Sequence, residues 1–100
     1  MKSNYSFKHL DYSESLVKYS ESKLDEVGKF LLKQGECHVF YWKEQHQFYA
    51  EVTVNTRQKF FKATACADDI YAATDLVCDK LEKQFLKIKE IYTSHKKAAA

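Results

Sequence analysis

Lys80, Lys83 and Lys87 stand three and four residues apart, the spacing that stacks side chains on one flank of a helix. On a wheel turning 100° per residue they fall within about 60° of one another, about 120° from the centre of the apolar stripe. Asp75, Asp79, Glu82 and Glu90 occupy a different arc. Like charges at this spacing repel by a few tenths of a kcal/mol per pair. A polyanion whose phosphates each accept an ammonium would offset that repulsion. A solvated lysine face, the commonplace alternative, would not need the signs sorted. Lys23 sits beside the apolar edge of an earlier helix, where a groove between neighbouring helices would lie. Arg57, the only arginine, stands near Lys59 in a connection between two strands, within reach of a phosphate.

Other chemistries find less support. His9, His38, His46 and His95 are scattered, with no Ser/His/Asp or Cys/His spacing. Two glycines cannot build a phosphate-cradling loop. Cys37, Cys66 and Cys78 are odd in number and widely spaced, which fits buried thiols in a reducing compartment better than disulfides or zinc. No metal or cofactor is expected. The net charge of +2 is too small to reveal a partner by itself, so charge distribution carries the argument. No apolar run reaches the roughly 18–20 residues of a membrane span, and the N-terminus lacks the apolar core of a signal peptide. A cytoplasmic protein is expected.

The elements that must hold these lysines follow from periodicity. "NYSFKH" alternates as a short strand. Ser13 is placed to cap a helix running to about Lys33, with Leu16, Ser20, Leu24, Val27 and Leu31 inward, Tyr12 stapled on Val17 and Gly35 ending it. Lys18, Lys29 and Lys33 share its outer side with Glu14, Asp25 and Glu26. "ECHVFYWK", "FYAEVTVN" and "FFKATAC" are dense in aromatic and β-branched residues and separated by short polar turns, which predicts an antiparallel meander. A final helix, capped by Asp68 or Asp69, turns Ile70, Ala73, Val77, Leu81, Phe85 and Ile88 inward. The order β-α-β-β-β-α is that of an α+β two-layer sandwich, a four-stranded sheet with two helices packed on one face. Residues 1–92 form the single expected domain, with 93–100 a flexible tail. Half of the aromatic residues in "HVFYW" and "FY" must serve the core; the rest line the open face, where they either support the sheet or stack bases.

The stretch "DDIYAATDLVCDKLEKQFLKIKE", residues 68–90, resembles the second helix of the ribosome hibernation promoting factor family, which includes the ribosome-associated inhibitors and is also called the sigma-54 modulation family. Asp69, Ile70, Tyr71, Ala73, Asp79, Lys80, Leu81, Gln84, Lys87 and Lys89 carry the match. The opening "YSFKHLDYSESLVKYSESKLDEVGKF" and the strand "FYAEVTVNT" are similar to the family's corresponding elements. The resemblance implies a protein, not an enzyme, that occupies the messenger and transfer RNA channel of the small ribosomal subunit and silences idle ribosomes under stress. It implies rRNA contacts from a basic groove between the two helices, made by Lys80, Lys83, Lys87 and Lys89 with Lys23 opposite. Two positions depart from the pattern: Glu26 stands where members often carry a basic residue, and Thr74 where they carry isoleucine. A generic reader of structured RNA and a sigma-factor-binding module remain the alternative readings.

Overall fold

The computed structural model describes residues 2–30, 35–57 and 59–99, with the side chains of Lys2 and of residues 89–99 outside that description. Elements follow in the order β1 (Lys2–Lys8), α1 (Glu14–Gly28), β2 (Gly35–Glu44), β3 (Gln47–Thr56), β4 (Phe60–Ala67) and α2 (Ile70–Ala99). The sheet order is β1-β2-β3-β4. β2, β3 and β4 form the expected antiparallel meander. β1 joins it in parallel with β2, because α1 carries the chain back across the layer before β2 begins.

Alternation on the strands decides the two faces. Cys37, Val39 and Tyr41, Ala50, Val52 and Val54, and Phe61, Ala63 and Ala65 are all buried. They meet Leu16, Leu24 and Val27 of α1 and Ala73, Val77, Leu81 and Phe85 of α2 in one core, so both helices cover the same face. The expected α+β two-layer sandwich is the observed architecture.

Local signals explain most boundaries. Ser13 caps α1 through its hydroxyl, which accepts from the Leu16 N–H at 3.2 Å. Asp69 caps α2 by accepting from the Ala72 N–H at 3.1 Å. Three local expectations are corrected. α1 closes at Gly28 with Lys29 as its C-cap, so Gly35 does not end a helix. Instead Gly35 opens β2 opposite Thr56, where an added Cβ would sit 3.0 Å from the Thr56 methyl and 3.2 Å from the Asn55 carbonyl. Tyr12 packs edge-on to Phe7 at 5.4 Å instead of stapling onto Val17. Leu31 and Lys33 lie outside the described residues. α2 is helical to Ala99, so the stretch 93–99 continues the helix.

Candidate nucleic-acid interface

α2 packs its apolar stripe on β3 and β4, and this packing turns one polar flank toward the free edge of β4 and the other toward α1. The flank over β4 is basic. Lys80 Nζ donates to the Thr64 carbonyl at 2.7 Å, and Gln84 Nε2 donates to the Lys62 carbonyl at 2.9 Å. Four residues forward on the helix therefore match two residues back on the strand, so the two run antiparallel. The ring contact of Phe85 with Phe61 at 4.8 Å agrees. Continued for one turn, this pairing brings Lys87 toward Phe60, the end of β4 at which Arg57 and Lys59 stand in the connecting turn. Lys80, Lys83 and Lys87 are all exposed, and among the described residues none has an acidic partner.

Arg57 is exposed beside a shallow depression of about 390 Å³ that also takes in Gly35, Glu36 and Asn55. Its turn is closed by Thr56, whose N–H donates to the Lys59 carbonyl at 2.9 Å and whose hydroxyl accepts from the Lys59 N–H at 2.9 Å. The structure thus places Lys80, Lys83 and Lys87 on one flank, with Arg57 at the end toward which Lys87 points. The side chain of Lys89 lies outside the described residues.

The flank facing α1 corrects the expectation of a basic inter-helix groove. The cleft between the helices, about 340 Å³, is lined by Lys23, Glu26, Lys29, Phe30, Asp79 and Glu82. Lys23 does face this groove, but its Nζ lies 3.5 Å from Asp75 Oδ1. Asp75 also accepts a 2.5 Å hydrogen bond from the Tyr19 hydroxyl. The Asp75 carboxylate, with Tyr19 second, holds the Lys23 ammonium above its ordinary value. The lysine ridge is therefore not a wall of this groove. An angle of about 120° from the core stripe is satisfied by either flank, and only the seating of α1 decides which flank it adjoins.

Sequence reasoning also missed how Thr74 works. Its hydroxyl lies 2.9 Å from that of Tyr41 in the core. Among the described residues, no group of three or more His, Cys, Asp or Glu side chains is placed to hold a metal ion, and no helix is long and apolar enough to cross a membrane.

A β-α-β-β-β-α sandwich with a lysine flank on its last helix defines a class of small two-layer α+β domains, and comparison with known proteins narrows it. Residues 3–92 match the Sigma 54 modulation protein / S30EA ribosomal protein family, and the chain belongs to that family. It is similar to a ribosome hibernation promoting factor of Azotobacter vinelandii, 31% identical over 90% of this chain and 84% of the relative. One from Pseudomonas putida is 32% identical over 100% of this chain and 98% of its own length. Among solved structures, a ribosomal subunit interface protein from Coxiella burnetii superposes with a TM-score of 0.80 at 23% identity, covering 90% of this chain and 99% of that one. The N-terminal domain of Protein Y from Thermus thermophilus gives 0.81 at 21% identity, covering 88% and 99%, and shows the same fold.

Proposed function

We propose that this protein is a ribosome-binding hibernation factor that sits in the messenger and transfer RNA channel of the small subunit and grips rRNA phosphates. Family membership and the names of its relatives support the ribosomal part of that reading. The observation that carries the RNA part is the exposed row of Lys80, Lys83 and Lys87, none of which forms an ion pair among the described residues although Asp79 stands four residues before Lys83. The gripping surface in this reading is the β4-side flank of α2, extended by Arg57, and not the mixed-charge groove. Lys23 is committed to Asp75 and contributes by fixing α1 against α2. No catalytic step is needed: occupancy of the channel is the activity.

Co-sedimentation with small subunits, large subunits and an unrelated duplex RNA at two salt concentrations tests the reading. Pelleting selective for the small subunit, weakening steeply with salt and lost in the Lys80→Ala/Lys83→Ala/Lys87→Ala variant, is the expected result. Equal binding to every RNA would make the protein a generic polyanion binder. Salt-insensitive binding that survives the triple substitution would point to a protein partner instead.

A further inference from the structure

The face of the sheet turned away from the helices is a lattice fixed by register. One row reads Ser6, Phe40, Glu51, Thr64 across the four strands, and the next reads Lys8, Trp42, Tyr49, Cys66. The aromatic rings of this face form two separate stacks. Phe40 stacks on His38 with centroids 4.1 Å apart and planes 10° from parallel. Trp42 stacks on Tyr49 at 5.2 Å and 4°. The first stack is anchored by Ser6 Oγ, 2.8 Å from His38 Nε2.

Phe40 and Trp42 are consecutive residues on this face, so they stand about 6.8 Å apart along β2, twice the 3.4 Å rise between stacked bases. Each leans on its other neighbour, and both line a cleft of about 510 Å³. The two sides of that cleft differ in charge. Lys8 and His9 lie on the β1 side, with Glu44 at the end of β2 beyond Trp42. Glu51 lies on the β3 side, its carboxylate accepting from Lys62 Nζ at 3.3 Å and from Thr64 Oγ1 at 3.2 Å. β1 and β3 are about 9.6 Å apart across β2, which matches the length of a base with its sugar. His9 holds φ at 61°, the left-handed region that costs a non-glycine residue and collects at functional positions. Rings that only shielded the sheet would close on one another and would leave no cleft between them.

We infer that this cleft is a nucleobase site, taking one unpaired base of RNA between Phe40 and Trp42. The phosphate lies toward Lys8 and His9, and the hydrogen-bonding edge of the base toward Glu51. A carboxylate accepts two hydrogen bonds at once from the N1–H and exocyclic N–H of guanine. Adenine and cytosine set an acceptor beside their donor, and uracil offers one donor between two acceptors, so guanine is the preferred base. Sheets that read single-stranded RNA stack bases on aromatic rings in this way. The site rests on the reading that the protein binds RNA. It adds base discrimination, which the phosphate-facing lysines cannot supply.

Trp42 is the only tryptophan in the chain, so its fluorescence reports the site directly. Whole protein is titrated with the four ribonucleoside 5′-monophosphates and with ribose 5-phosphate at constant ionic strength. The expected result is saturable quenching, with guanosine monophosphate binding roughly tenfold tighter than the others, the discrimination of one bidentate contact. Glu51→Gln removes that preference while stacking remains, and Phe40→Ala, checked for folding by circular dichroism, removes saturation. Lack of saturable quenching, an equal response to ribose 5-phosphate, or an undiminished preference in Glu51→Gln would overturn the assignment. The Lys80→Ala/Lys83→Ala/Lys87→Ala variant leaves this quenching unchanged, so failure of the lysine flank and failure of the base site register in different experiments.

Discussion

The hydroxyls of Thr74 on α2 and Tyr41 on β2 meet 2.9 Å apart in the core, and the same tyrosine oxygen lies 2.5 Å from Ser20 Oγ on α1. One side chain of the sheet thus holds both helices. Ser20 also donates to the Leu16 carbonyl at 2.7 Å and Thr74 to the Ile70 carbonyl at 2.8 Å, so three hydroxyl protons serve four contacts. With Ser20 and Thr74 each donating to a carbonyl of its own helix, the Tyr41 proton serves one of the two side-chain contacts and the tyrosine is held between two hydroxyl oxygens.

Removing the hub should cost less than a truly orphaned network would, because Ser20 and Thr74 retain their backbone acceptors. Tyr41→Phe is expected to destabilise by about 1–2 kcal/mol in urea unfolding. Thr74→Val with Tyr41→Phe should cost less than the two singles added, a coupling of about 1 kcal/mol. Strict additivity would show that the two hydroxyls do not interact.

Among the described residues Lys83 and Lys87 make no bond to the backbone of the sheet, so these two should act on binding alone. Lys83→Ala with Lys87→Ala is expected to leave the melting temperature unchanged. In filter binding to small-subunit rRNA the slope of log K against log salt should shrink by roughly 1.5–2, the value for two released phosphate contacts. An unaltered slope would remove both residues from the interface.

Alkali should unfold this protein through its thiols. Burial pushes Cys37 up to about 11 and Cys78 up to about 12, and it raises Tyr41 as well. The folded state therefore keeps protons that the unfolded chain releases above about pH 8.5. Stability is fully present below that pH and falls as pH climbs toward the folded values, by about 1.4 kcal/mol per pH unit for each group engaged. Urea midpoints taken between about pH 8 and pH 10 should decline, and Cys78→Ala should decline less steeply. A flat profile in the parent protein would contradict the burial of both thiols.

Gly35→Ala should strain the start of the β2–β3 ladder. The new methyl would stand 3.0 Å from Thr56 Cγ2 and 3.1 Å from Val54 Cγ1. Overpacking of this kind costs about 1 kcal/mol or more, read as a lower urea midpoint with an unchanged m-value. A neutral substitution would mean that Thr56 can swing aside.

The layers, element order and most core positions were legible from periodicity, because a pleated strand and an amphipathic helix each expose one repeat to one environment. Ser13 and Asp69 announced their helices by capping chemistry. Gly35 misled because a glycine after an apolar stripe suits a helix end and also suits a strand with no room for a Cβ; the chain alone does not say which. Thr74 stood out only as a departure from the family's isoleucine until Tyr41 appeared opposite it. The lysine row was visible as a row, but its neighbour was not. Periodicity around one helix has no knowledge of where the next helix sits, so Asp79 and Glu82, and not the lysines, proved to border the groove with Lys23.

Lys80 and Gln84 also settle how the sheet ends. Their side chains occupy the outward carbonyls of Thr64 and Lys62 on the last strand, positions at which another polypeptide would otherwise align and template a fifth strand. Replacing Lys80 would uncover one rung of that edge, while replacing Lys83 or Lys87 would uncover nothing. The same helix flank thus divides in two: Lys80 and Gln84 shield the margin of the sheet, and Lys83 and Lys87 can be lost without baring it.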